Sequence, residues 1–123
     1  MATHEDIEHY LIQMEQPYEA IAKDMWVVRN TENIVITYEP PLVIFRAKLM
    51  EVPKRGRENF FKLLLELNAT QMIHGAYGIE DENVVLIDTL QVEHLDLNEF
   101  QASFDAISVA ISQDYERLKP FRD

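Results

Sequence analysis

From Leu67 to Phe121 the chain reads LNATQMIHGAYGIEDENVVLIDTLQVEHLDLNEFQASFDAISVAISQDYERLKPF. This stretch divides into the end of a helix, two strands around an acidic turn, and a long helix. Ile73–Ile79 is predicted as a strand in which Gly75 and Gly78 weaken the ladder or admit a close backbone approach. Glu80–Asn83 supplies the turn, and Val84–Val92 is the strongest β-former in the chain. Asp96, followed three residues later by Glu99, is a capping-box-like helix start. Leu97, Phe100, Phe104, Ile107, Ile111 and Leu118 then recur at three- and four-residue spacing until Pro120 ends the helix.

Upstream, residues 4–16 form a predicted amphipathic helix. Thr3 is its N-cap and Asp6 stands in the first turn, where the helix dipole favours an anion. Ile7, Tyr10, Leu11 and Met14 make one apolar stripe, and Pro17 stops the helix. Three strands follow: Met25–Arg29, Ile34–Tyr38 after the polar turn 30–33, and Leu42–Val52 after Pro40-Pro41. Ile34, Ile36 and Tyr38 share a face by the two-residue period of a strand. Val43, Phe45, Ala47 and Leu49 form the core face of the third strand. Its other face, Leu42, Ile44, Arg46, Lys48 and Met50, begins apolar and turns basic. Arg57–Met72 is a second helix whose Phe60, Phe61, Leu63, Leu64, Leu65 and Leu67 spread well beyond one stripe, so that it is either fully buried or buries its second side against another chain. The expected fold is therefore α+β, in the order αβββαββα, as one domain over residues 1–123.

Composition narrows the function. The 123 residues include 47% hydrophobic side chains and no cysteine, which excludes global disorder, a disulfide framework and a thiolate metal site. No run approaches the roughly 20 apolar residues of a membrane helix. The opening residues, MATHEDIEHY, lack a basic region followed by an apolar core, so no secretory signal is expected and the cytoplasm is the expected compartment. Twenty-two acidic against eleven basic residues give a net charge of −11, which opposes binding to nucleic acid and anionic membrane. Four of the cations, Lys54, Arg55, Arg57 and Lys62, crowd into one basic corner.

Residue types that could do chemistry have simpler structural readings. His4 and His9 are five apart, about 140° round a helix, whereas a two-histidine zinc helix needs them four apart. His9 could pair with Glu5. His74 is expected at a strand head and His94 in a solvated loop. Asp88 interrupts an apolar strand and could meet Arg46 or Lys48 across the sheet. Ser103, Ser108 and Ser112 fall inside the last helix, away from any strand–turn–helix elbow. Asn68 is expected to cap a helix end. No catalytic residue, metal ligand or cofactor is therefore assigned, and the chain is not expected to be an enzyme.

Leu67-Asn68, the segment Gly75-Ala76-Tyr77-Gly78-Ile79 with its turn Glu80-Asp81-Glu82-Asn83, Val84–Leu90, Leu95-Asp96 and Glu99-Phe100 carry a resemblance. Together with the layout of residues 34–52, they resemble the class I type III secretion chaperone fold of the CesT/Tir-chaperone type, and most closely its YbjN-like group. The resemblance implies a twisted antiparallel sheet backed by helices, a homodimer, and no cofactor. It also implies that an extended segment of a client polypeptide lies along apolar patches and sheet edges, as in strand addition. The alternative within the resemblance is a YbjN-like regulatory or scaffold module. The expected client patch is Ile34, Ile36, Tyr38, Leu42 and Ile44 with Ile7, Leu11 and Met14 of the first helix. The expected dimer interface is Phe60, Phe61, Leu64 and Leu65.

Overall fold

The computed structural model describes residues 1–29, 32–72 and 74–123. The elements are α1 (His4–Gln13), β1 (Tyr18–Ala22), β2 (Met25–Arg29), β3 (Asn33–Glu39), β4 (Leu42–Glu51), α2 (Arg57–Thr70), β5 (Ala76–Glu80), β6 (Asn83–Gln91) and α3 (Leu97–Leu118), closed by a 3-10 turn, Lys119–Phe121. The strands form one six-stranded sheet in the order β1-β2-β3-β4-β6-β5. All neighbours are antiparallel. The α+β class is as expected, with one addition. Tyr18–Ala22 is a sixth strand absent from the predicted order, which becomes αββββαββα. The predicted strand 73–79 starts at Ala76; Ile73, like Asn30 and Thr31 of the predicted turn, lies outside the described residues.

Alternation decides which strand face is covered. Val43 pairs with Leu90, Phe45 with Asp88 and Ala47 with Leu86, which sets these residues on one face. Val43, Phe45, Ala47 and Leu86 are fully buried, together with Trp26, Val28 and Ile36 of the neighbouring strands. The helices bring Ile7, Leu11, Phe60, Phe100, Phe104 and Ile107 to the same core. Phe45 and Phe100 meet with ring centroids 5.1 Å apart, and Tyr10 and Phe100 at 5.4 Å, both tilted. Such aromatic pairs add roughly 0.5–1.5 kcal/mol to the gain from burial alone. A register shift between Lys48 and Met50 corrects the predicted face of β4: Met50 turns into the core and Leu49 is left half-buried.

The helix starts follow the sequence closely. Thr3 Oγ1 accepts the Asp6 amide at 3.2 Å, and the Asp6 carboxylate accepts the Thr3 amide at 2.8 Å. The backbone bond from Thr3, and then its hydroxyl, hold the Asp6 carboxyl below the usual aspartate value. Asp96 caps α3 by accepting the Glu99 amide at 2.9 Å. Ahead of α1, the Ala2 amide donates to Val92 O at 2.9 Å and Tyr38 Oη donates to Ala2 O at 2.9 Å, strapping the N-terminal residues to the sheet. Gly75 has φ +81°, and a Cβ there would lie 2.6 Å from Ile87 O, so the approach of its backbone to β6 requires glycine.

Candidate functional site

A six-stranded open sheet has two edges, and here they differ. β5 forms one, and Asn68 of α2 covers it. The Asn68 amide donates to Tyr77 O at 3.1 Å, and its oxygen accepts the Tyr77 amide at 2.7 Å. A side-chain amide thus takes the place of a neighbouring strand at Tyr77. The helix-cap role expected for Asn68 is replaced by this one, because α2 continues past it to Thr70. Tyr77 is further fixed from within, its phenol donating to buried Asp114 of α3 at 2.5 Å.

β1 forms the other edge. Four of its five residues are exposed. The Arg29 amide donates to Pro17 O at 3.2 Å, and Glu19 stands opposite Val27, so the backbone groups of Pro17 and Glu19 face β2. By alternation, those of Tyr18 and Ala20 face away from the sheet. No element of the described chain pairs with that side. A register shift between Ala20 and Ala22 marks a bulge at Ile21, which is 44% exposed.

Helix α1 packs on α3 and reaches this side of the sheet through His4. His4 and Glu8 lie about 40° apart round the helical winding, with Ile12 about a further 40° on; Glu15 falls beyond the helix end, in the turn toward β1, with φ +56°. His4 fixes which way the strip faces. Its Nδ1 is 2.6 Å from Asp24 Oδ1, in the turn between β1 and β2, and its Nε2 is 2.9 Å from Glu8 Oε1. The Asp24 bond above all, seconded by Glu8, raises the His4 pKa above its ordinary 6.5 against the opposing effect of burial. The pair is therefore His4–Glu8; the expected His9–Glu5 pairing does not form, and His9 is exposed. Ile12 is 56% exposed on this side of α1.

The residues expected in the client patch separate. Ile7, Leu11, Ile34 and Ile36 are core residues, each no more than 2% exposed. They project to the face that the helices cover, so they are unavailable to a partner in this structure. Met14, Tyr38, Leu42 and Ile44 are only partly buried. In the expected dimer face, Phe60 and Leu64 are likewise core, whereas Phe61 is half-buried and Leu65 is 68% exposed. The second side of α2 is thus real but narrower than expected.

Asp88 lies opposite Phe45 on the covered face, so it cannot meet Arg46 or Lys48, which point the other way. Its Oδ1 accepts the Thr89 amide at 2.9 Å. Arg46 instead has Glu80 Oε1 3.1 Å from its Nε. These two residues, with Val35, Lys48 and Val85, line an open groove of about 370 Å³ on the uncovered face of the sheet. His94 is exposed, with Glu93 Oε1 3.5 Å from its Nε2. Among the described residues, no group of three or more His, Asp or Glu converges as a metal set. No helix among them is long and apolar enough to cross a membrane.

Ile12, Ile21 and Glu19 were absent from the sequence-based site. Ile12 carried a usable signal, an isoleucine off the apolar stripe of its helix. Glu19 and Ile21 carried none, because their strand was not recognised.

Solved structures share this architecture. A chain of the ExoU–SpcU complex from the type III secretion system of Pseudomonas aeruginosa aligns over 95% of this chain and 98% of its own, at 16% identity and TM-score 0.71. YbjN from E. coli aligns over 94% and 93%, at 14% identity and TM-score 0.71. A chain of the HopA1–SchA chaperone–effector complex aligns over 89% of each, at 9% identity and TM-score 0.67. No curated protein sequence matches the chain. At such identities the structures establish the fold, while the CesT_Tir_1 family model matches residues 1–122, and the chain belongs to that family.

Proposed function

We propose that the protein is a non-catalytic, cytoplasmic, dimeric chaperone-like protein that holds an extended segment of a client polypeptide. One observation carries the site assignment: of the two edges of the sheet, β5 is capped by Asn68 at Tyr77, whereas among the described residues nothing pairs with the outer side of β1 at Tyr18 and Ala20. An unpaired edge offers backbone donors and acceptors at strand spacing, which an extended chain of almost any sequence can satisfy. Family membership and the likeness to chains from a type III secretion complex and a chaperone–effector complex support the same reading. The exposed apolar side chains Ile12 and Ile21 flank this edge, while Met14, Tyr38, Leu42 and Ile44 remain as the accessible part of a wider patch. The second side of α2, through Phe61 and Leu65, is the proposed dimer face.

The test uses a permanently unfolded, alkylated protein as probe. Ala20→Pro removes a backbone N–H that faces away from β2, a position where an edge strand tolerates proline. The variant is expected to keep its melting temperature within a few degrees and to lose the probe. In the parent, probe binding should slow hydrogen exchange at Tyr18 and Ala20. Binding without that protection, or undiminished binding by Ala20→Pro, would place the client elsewhere. A chain that dimerises yet holds no unfolded polypeptide would be the regulatory or scaffold module.

A further inference from the structure

Lysine and arginine are unevenly spread along the chain. Residues 4–29 hold six carboxylates, Glu5, Asp6, Glu8, Glu15, Glu19 and Asp24, against Lys23 and Arg29. Seven of the eleven lysines and arginines instead lie in residues 54–62 and 117–122. Those two segments come together away from β1. Phe121 packs on Phe60 with ring centroids 5.2 Å apart, the Lys54 amide donates to the Asp123 carboxylate at 3.2 Å, and Arg55 and Arg122 line one groove. Helix α2, which begins there, packs along β5, the edge opposite β1.

At the β1 end the cations are already engaged or outnumbered. Arg29 Nε donates to Glu19 at 3.2 Å, leaving Lys23 as the other lysine or arginine of the segment. A strand added outside β1 would bond to the outward groups of Tyr18 and Ala20. Side chains on one of its faces would lie on the helix-covered side, toward Glu8 and exposed Ile12 of α1; those on the other face would pass near Glu19. Ile12 and Ile21 offer apolar contact, and the carboxylates around them repel acidic side chains while attracting lysine and arginine.

Resting on the strand-addition reading, we infer that the β1 edge selects a client segment in which apolar and basic residues alternate. Backbone pairing supplies sequence-tolerant affinity, and the acidic surround chooses among strands by charge.

The experiment compares three capped peptides of about eight residues, a length set by ordinary strand size. They alternate valine with lysine, with serine or with glutamate, and binding to the intact protein is measured at low and at physiological salt. The lysine peptide should bind at least about tenfold more tightly than the glutamate peptide at low salt, with serine between them. Added salt should narrow the gap, as screening of exposed charges requires. The double variant Glu15→Gln/Glu19→Gln, which touches no core residue, should narrow it too. Equal binding of all three peptides would leave strand addition standing and overturn the charge inference. Binding of none would overturn strand addition itself. Salt-sensitive polymerisation of the chain alone would identify the occupant as a second copy, also overturning the inference.

Discussion

Tyr77 Oη donates to Asp114 Oδ2 at 2.5 Å, tying the edge strand β5 to the last turns of α3 through a buried bond. Tyr77 is 6% exposed and Asp114 2%. Burial first, and the bond to Asp114 second, drive the Tyr77 phenol far above its ordinary pKa of 10.0. A raised folded pKa gives stability that is complete below the unfolded value and declines as pH climbs through and beyond it. The protein should therefore lose stability above about pH 10, where the unfolded chain releases this proton and the folded chain does not. Spectrophotometric titration should find one of the five tyrosines silent until the fold melts. Tyr77→Phe strands the Asp114 carboxylate and should cost about 1–3 kcal/mol in urea denaturation. A loss below about 0.5 kcal/mol would mean that water replaces the phenol without penalty.

Asn68 caps the β5 edge at Tyr77, and its removal should do two things. Asn68→Ala deletes both bonds to the Tyr77 backbone and should destabilise the protein by about 1–3 kcal/mol. It also exposes a second strand edge, a template for pairing between chains. Light scattering at rising concentration should show aggregation of the variant below its melting temperature, while Thr70→Ala, on the same helix and with its hydroxyl donating to Glu66 O, should remain dispersed.

Much of this architecture was legible in the sequence because its elements carry strong periods. Phe100, Phe104 and Ile107 announce α3, and the alternation of β6 survives Asp88. β1 was not legible: YEAIA buries almost nothing, so its strand state comes from pairing with β2 and leaves no apolar code. Alternation also told that Ile34 and Ile36 share a face, but neither which face the helices would cover nor that Ile44, grouped with them in the expected patch, lies on the opposite one. That is why two expected client contacts, Ile34 and Ile36, proved to be core residues. The role of Asn68 was hidden for a similar reason, since its partner Tyr77 reaches it only through the fold.

The proposed dimer face makes a sharp test at Leu65. Its side chain is 68% exposed, so Leu65→Glu adds a charge without disturbing the core. If α2 meets its mate in a second copy, the variant should be a folded monomer by light scattering, with an unchanged circular dichroism spectrum. Phe61→Glu should act in the same direction, with some loss of stability because Phe61 also packs on Phe60 at 6.0 Å. A parent and a Leu65→Glu variant of equal mass would remove α2 from the interface.

His4 links α1 to the turn between β1 and β2, and this link is proton-dependent. Its imidazole lies between Asp24 and Glu8, with its ring 4.8 Å from that of Trp26, the chain's one tryptophan. Because the bond to Asp24, followed by Glu8, raises the His4 pKa above 6.5, its contribution is complete below pH 6.5 and fades as pH rises through the folded value. The difference in stability between the parent and His4→Gln should thus be greatest near pH 5.5 and smallest near pH 9. Since the histidine and both carboxylates are about one-third exposed, solvent screening keeps that difference below about 1 kcal/mol. Trp26 fluorescence reports the same event, with a titration step in the parent above pH 6.5 that is absent in His4→Gln. A step at the same pH in both proteins would assign it to another group. A stability difference that stayed constant across this range would show that His4 holds the turn by packing on Trp26 rather than by charge.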